Sequence, residues 1–336
     1  DGDTVSAQAV LALSIHDFSG ALPLAMQATR INPLSSAALA ALVDANVENG
    51  DYPAGEAALR RLLDADPGVA AYARVSYFRQ LSGDLAGAQI AMRQAVAAAG
   101  VGSERATVLT YLGDISLEMG DLDDADEAYS AALRDQPMSV GASLGRARLL
   151  IAQGKFVEAA ALLDAVVARS PQPAAATLRG ELAIIMGDAT IAAESFDLVR
   201  ANDQILRSLG VETGLETSLF NADYGDVALA LTEAEAVYES RPTVFAADAL
   251  AWALLRSGRA DEAVQYVEQA LAGGITSPGI RVHAAAVFSA VGLIDRAGAE
   301  LMTAFRSRPW LTLSIRPVAE RLATSLDVAY PKGWSS

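Results

Sequence analysis

The sequence predicts an all-α solenoid of about nine helix-turn-helix units closed by a C-terminal capping helix, and three observations carry that reading. Glycines recur at a nearly constant interval: Gly50, Gly83, Gly120, Gly154, Gly187, Gly225, Gly258 and Gly292 follow one another at steps of 33, 37, 34, 33, 38, 33 and 34 residues. A period of that size marks a stack of small units, none able to bury its apolar face without a neighbour. Each glycine interrupts an Ala-rich run with helical spacing, and strand-like alternation of Val, Ile and Thr is absent. The hydrophobic fraction of 52% is inflated by alanine, aromatics being only 6%. A chain of 336 residues would ordinarily form two domains, but a solenoid grows in one dimension without one large core.

The cleanest unit, Ala106 to Pro137, shows the logic of all of them. Leu109, Leu112, Ile115 and Leu117 recur at helical spacing, Gly120 ends that helix in a left-handed conformation, and Asp121 offers a short acceptor for the next N-terminus. The second helix presents Ala125, Ala128, Tyr129, Ala132 and Leu133 on one face, and Pro137 stops it. Two helices joined by so short a turn pack antiparallel, and alanine at the crossing brings the axes to the lower end of the ~8–10 Å range.

Leu112, Gly113, Gly120, Asp121, Ala125, Tyr129, Ala132 and Pro137 resemble the tetratricopeptide repeat at its defining positions. The same frame fits Leu42, Gly50, Asp51, Tyr52, Leu59 and Pro67 in the second unit, and Ala147, Gly154, Phe156, Ala159 and Pro171 in the fifth. It fits Gly180, Gly187, Asp188, Ala192 and Phe196 in the sixth, Leu250, Ala251, Gly258, Ala263 and Ala270 in the eighth, and Ala285, Gly292, Ala297, Ala304 and Pro309 in the ninth. One period before Gly50 stands His16, followed on schedule by Ala21, Ala28 and Pro33, so a first unit with a degenerate turn is expected. The resemblance covers most of the chain and implies a right-handed superhelix. Residues 246–304 also resemble the last two repeats of many bacterial tetratricopeptide proteins, which implies bacterial origin and no particular activity.

Two steps are long, by three residues after Gly83 and by four after Gly187, and both lose the closing proline. Gly100 and Gly102 replace the first stop; Gly210 and Gly214 lie in the second, each costing about 1 kcal/mol if placed inside a helix. The units therefore group as residues 3–101, 102–203 and 204–309, with a cap at 310–336, in one continuous solenoid with bends or loosened packing expected near residues 100 and 205. In the cap, Ile315, Val318, Leu322 and Leu326 share a helical face fit to cover the ninth unit, while Arg316, Glu320 and Arg321 are expected to face water.

Composition excludes several functions. A formal charge of −16 with two lysines, Lys155 and Lys332, does not suit phosphate binding, so no nucleic-acid partner is expected. Acidity keeps an Ala-rich rod soluble and would favour a basic partner. Without cysteine there is no disulfide, thiolate metal site or cysteine nucleophile. No metal or cofactor is expected. The dense run Asp114, Glu118, Asp121, Asp123, Asp124, Asp126 and Glu127 lacks the glycine and the bidentate Glu of a calcium loop, and its charges suit a helix N-terminus. His16 and His283 are too far apart for one site, no phosphate loop or HExxH occurs, and no enzyme activity is expected. The longest apolar stretch, Val282 to Ile294, is shorter than the ~20 residues a membrane span needs, so no insertion is expected. The start DGDTVSA, without Met, favours an exported, extracytoplasmic protein over a cytoplasmic one.

The resemblance implies that the leading helix of each unit lines a concave groove. The ninth position of each unit then holds Val10, Asp44, Tyr77, Asp114, Arg148, Glu181, Leu219, Trp252 and Ala286, with Arg74, Tyr111, Asp248, Arg256 and His283 on the same face. Arg148, Tyr77, Tyr111 and Trp252 are the expected anchors for a protein or peptide segment, because such side chains combine large area with directional polar ends. Tyr77 and Trp252 fit equally well as packing against the next unit. The Lys and Asn that clamp a peptide carboxylate in some members are missing, so that mode is not expected. The function expected is a non-enzymatic scaffold or adaptor. The alternatives are a structural subunit joined through its convex face or ends, and a receptor for a small molecule or cation.

Overall fold

The computed structural model describes residues 1–306 and 312–331. Nineteen α-helices make up the described residues, with no strand among them. They form nine antiparallel hairpins: α1 (Gly2–Ser14) with α2 (Phe18–Ile31), α3 (Ser36–Glu48) with α4 (Tyr52–Ala65), α5 (Val69–Leu81) with α6 (Leu85–Ala98), α7 (Ser103–Met119) with α8 (Leu122–Asp135), and α9 (Val140–Ala152) with α10 (Phe156–Arg169). The series continues with α11 (Pro173–Met186) and α12 (Ala189–Ser208), α13 (Gly214–Tyr224) and α14 (Val227–Ser240), α15 (Val244–Arg256) and α16 (Ala260–Leu271), and α17 (Pro278–Ala290) and α18 (Ile294–Arg306). A single helix, α19 (Arg316–Ser325), follows. No helix is long and apolar enough to cross a membrane among the described residues.

The corners fall where the glycine spacing puts them. Gly50, Gly83, Gly120, Gly154, Gly187, Gly258 and Gly292 all have φ between 73° and 84°. His16 takes the same conformation, φ 63°, at the degenerate first corner. Gly225 is the exception, with φ −134° and ψ −143°. Behind most corners an aspartate caps the second helix: Asp17, Asp51, Asp84, Asp188 and Asp226 accept from the backbone N–H of Gly20, Ala54, Gly87, Ile191 and Ala228 at 2.8–3.0 Å. Asp121, the acceptor expected in the cleanest unit, stands at the N-cap but makes no such bond. Hairpins close tightly because large rings fill the space that glycines leave. Tyr129 is fully buried, and a Cβ on Gly113 or Gly145 would lie 2.5 or 2.2 Å from its ring.

The superhelix touches itself one turn later, which the repeat pattern does not announce. The corner of α1 and α2 meets the loop between α12 and α13, where Glu212 N donates to Ile15 O at 3.2 Å. His16 Nδ1 lies 2.8 Å from the Glu212 carbonyl oxygen, which can only accept, so this nitrogen carries the hydrogen. The corner of α3 and α4 meets the loop between α14 and α15: Val244 N donates to the Tyr52 hydroxyl at 3.0 Å, and Arg241 pairs with Glu48 at 3.4 Å while lying over the Phe18 ring. The corner of α5 and α6 meets the loop between α16 and α17, where a Cβ on Gly83 would come within 2.5 Å of Gly274 O. The hydrogen-bonded partners are separated by 192 to 197 residues. Ala247, Ala270, Ile275 and Ile280 from the last units share an apolar cluster with Leu39, Val43, Leu62 and Leu81 from the first three, so this seam is a core.

α19 covers the end of the stack. Ala319, Leu322 and Ala323 are buried in the cluster of α15 and α17, with Val318 and Leu326 against it. Arg321 faces water as expected. Arg316 and Glu320 do not: both are half-buried, and burial holds the Arg316 guanidinium below its ordinary value.

Candidate functional site: the inner wall

The odd-numbered helices carry the predicted face, and the structure sorts its residues into three groups. At the seam, the Arg74 guanidinium grips both oxygens of Asp44, its Nε 2.8 Å from Oδ1, and donates to Ala70 O. Tyr77 packs into the first-unit core. Burial, with the charge of Glu48 behind it, pushes the Tyr77 hydroxyl far above the ordinary tyrosine value. Burial likewise raises Glu48, partly offset by Arg241.

The middle group lies on α7 and α9. The Tyr129 hydroxyl donates to Asp114 Oδ1 at 2.7 Å, and Arg148 Nη1 stands 3.7 Å from the same oxygen. Burial raises Asp114, against the pull of Arg148 and the Tyr129 hydrogen bond. One turn further, Glu118 has neither ion pair nor hydrogen bond among the described residues, and burial, reinforced by the Asp114 charge, pushes it up to about 7. Tyr111, one turn before Asp114 on α7, is half exposed.

The third group runs from α11 to α17. Glu181 is raised to about 7 by burial and by the Asp223 charge, and accepts from the Tyr224 hydroxyl at 3.3 Å. Asp223 accepts from Trp252 Nε1 at 3.0 Å, and burial holds its carboxyl above the usual range. Trp252, 2% exposed, stacks on the His283 imidazole at 4.2 Å and 14°, and the Arg256 guanidinium stands 5.7 Å from its ring centroid. His283 Nδ1 sits 3.1 Å from both oxygens of Asp248, while its Nε2 is buried without a partner. Burial alone pulls the imidazolium down, but Asp248, with Asp223 behind it, more than offsets this and the pKa ends above the ordinary histidine value.

Of the four expected anchors, Tyr111 is half exposed, Arg148 is partly exposed beside Asp114, Tyr77 is half-buried in the seam, and Trp252 is enclosed within the third group. Asp248, His283 and Glu181 are also buried. Of the remaining ninth-position residues, Val10 is exposed, Leu219 packs on the last core, and Ala286 lies within it. Sequence reasoning missed Glu48, Asp223 and Tyr224, and set Glu118 aside as a helix-end charge. The signal was available for three of them: Glu48, Glu118 and Asp223 each stand four residues after a ninth position, on the next turn of the same face.

The wall is acidic. Asp114, Glu118, Glu181, Asp223 and Asp248 face Arg148, Arg256 and His283, and no group of three or more side chains is arranged to hold a metal ion among the described residues.

The sequence profile of the tetratricopeptide repeat matches residues 6–70, 112–174 and 144–205. Among solved structures the chain is similar to the human IFIT1 dimer with PPP-AAAA, at 14% identity, 91% of this chain and 72% of that chain, with a TM-score of 0.54. It is similar to PilW, a widely conserved type IV pilus biogenesis factor, at 17% identity over 62% of this chain and 97% of that one, with a TM-score of 0.50. A tetratricopeptide repeat protein from Parabacteroides merdae aligns at 18% identity over 77% of this chain and 98% of its own, with a TM-score of 0.43. None of the curated proteins matches the sequence. The paired helices, the left-handed glycine corners and the matched profile agree: the chain is a tetratricopeptide repeat protein.

Proposed function

We propose that the protein is a non-enzymatic scaffold that holds a segment of a partner protein along the inner wall, and that the segment is basic. Repeats of this kind point to a protein-interaction scaffold. The observation that carries the finer reading is Glu118, a half-buried carboxylate without ion pair or hydrogen bond among the described residues, two turns along α7 from the half-exposed ring of Tyr111. A lone carboxylate in such a place is unfavourable in the free protein, and an arriving ammonium or guanidinium relieves it, while the tyrosine face two turns away is open to a neighbouring side chain of the same segment. Catalysis has little to work with: the one buried histidine is locked between Trp252 and Asp248, with no hydroxyl nucleophile on it.

Photo-cross-linking residues placed at Tyr111 and Arg148 on the wall, and at Glu127 and Glu194 on the outer helices, test the reading in the native host. A common partner at the two inner positions and not at the outer ones is expected. Capture at the outer positions alone assigns the interaction to the convex face and removes the proposal.

A further inference from the structure

The short stretch ahead of α19 is anchored in two different cores. Leu313, 3% exposed, belongs to the apolar cluster of Leu144, Ala147, Leu178 and Leu182 on α9 and α11. Ile315, two residues on, belongs instead to the cluster of α15, α17 and α19, and a Cβ on Gly279 would lie 3.9 Å from its Cδ1. Two residues reach at most about 7 Å. This one stretch therefore bridges the fifth and sixth units to the ninth across the inside of the superhelix. Between the two anchors stands the half-buried Ser314, its hydroxyl 3.3 Å from that of Thr312 and near enough to the Glu181 carboxylate to stabilise its charge, while the Tyr224 hydroxyl donates to Glu181 at 3.3 Å.

We propose that Leu313 and Ser314 are a tethered occupant of a docking notch on α9 and α11, and that a partner segment carrying an aliphatic residue followed by a basic one enters by displacing them. The proposal deepens the capture reading above and rests on it. The notch takes an aliphatic side chain, as Leu313 shows, and ends at an acidic pair, Glu181 and Asp223, whose like charges oppose each other. A neutral serine beside Glu181 leaves the charge of that pair uncompensated. An ammonium compensates it, so a lysine in the second position outcompetes the resident serine. Release does not require the cap to leave, because Ala319 and Leu322 anchor α19 independently of Leu313. A short tether presents its segment at an effective concentration in the ~mM range, so an untethered segment with the resident sequence competes poorly.

The test uses fluorescein-labelled peptides with the sequence of residues 311–317, one native and one carrying Ser314→Lys, titrated into the full chain. The lysine peptide is expected to bind the wild-type chain ~10-fold tighter than the native peptide. Both are expected to bind a Leu313→Asp chain ~10-fold tighter again, since the tethered competitor has lost its anchor. A peptide carrying Leu313→Asp should bind neither. A Leu313→Ala, Ser314→Ala chain, gentler on the neighbouring cap, should move in the same direction, and lysine-peptide binding to wild type should raise amide exchange at 313–315. Equal affinity of each peptide for the wild-type chain and both variants, or uptake by none, overturns the proposal. Inner-wall cross-links without peptide uptake would leave the capture reading standing and remove displacement alone; peptide uptake with only outer-face cross-links would do the reverse.

Discussion

The Arg241 guanidinium, almost wholly buried, meets the Glu48 carboxylate at 3.4 Å across 193 residues of chain and covers the Phe18 ring as it does so. It is the polar centre of a seam that joins the first turn of the superhelix to the second.

Arg241→Ala removes the cation that offsets the burial of Glu48, together with the ring contact. We expect a loss of about 1–3 kcal/mol in denaturant unfolding, with faster amide exchange at the α3–α4 corner and the α14–α15 loop together. Arg60→Ala breaks only an exposed pair with Glu56 and should stay within about 0.5 kcal/mol of wild type.

Gly83 and Gly154 separate backbone strain from seam closure. Their φ values are 75° and 73°, but a Cβ at Gly83 meets Gly274 O at 2.5 Å and one at Gly154 meets nothing within 4 Å. Gly154→Ala should cost ~1 kcal/mol in thermal unfolding, the left-handed term alone. Gly83→Ala should cost clearly more, and equal losses would show that the seam does not close in solution.

Glu118 makes stability depend on pH in an unusual direction. Its folded-state pKa, about 7, lies above the ordinary carboxylate value of 4.5, so the folded state holds its proton more tightly and stability falls as pH rises between the two. Glu118→Gln should therefore raise the unfolding free energy at roughly pH 8, by on the order of 2 kcal/mol at most, and the gain should shrink as pH is lowered toward roughly 5.5. A gain independent of pH would show that Glu118 is not buried as described.

Tyr111→Ala should leave stability within about 0.5 kcal/mol, because the ring is half exposed, yet weaken binding of a basic partner segment by about tenfold. Trp252→Phe should do the opposite. It strips Asp223 of its indole donor and costs about 1–3 kcal/mol in denaturant unfolding, with partner affinity changed less than by Tyr111→Ala.

We further propose that the joints at the two long steps, near residues 100 and 205, are the least stable in the stack. Amide exchange at 99–102 and 209–213 should outrun that at other inter-hairpin loops; equal protection would remove the grouping into three blocks of three.

The hairpins were legible because their determinants are local. A glycine corner, an aspartate cap and an Ala-rich face lie within one period, and Gly120 or Gly187 can be read without knowing anything beyond the neighbouring helices. Even His16 was legible as a corner, from its place one period before Gly50. The seam was not, because it depends on how many units complete a turn, and that angle accumulates from small packing choices at every interface. Gly50 and Gly83 looked like corners only, although each also lets a distant backbone approach. The wall was half legible for the same reason. Position nine put Asp114, Arg148 and Trp252 at one register of the leading helices, but whether a side chain there is exposed, like Tyr111, or enclosed, like Trp252, is decided by packing that the register does not show. Leu313 carried no signal at all, since its partners on α9 and α11 are more than a hundred residues distant.

Linear arrays of this kind normally fray from their ends, each unit answering only to its neighbours. Here Glu212, Arg241, Val244 and Gly274 tie the first three hairpins to the loops among the later ones, so these hairpins do not answer to their sequence neighbours alone. Melting should consequently resemble that of a globule, one sharp transition shared by both extremities, and a fragment lacking the last three hairpins should lose its first three as well.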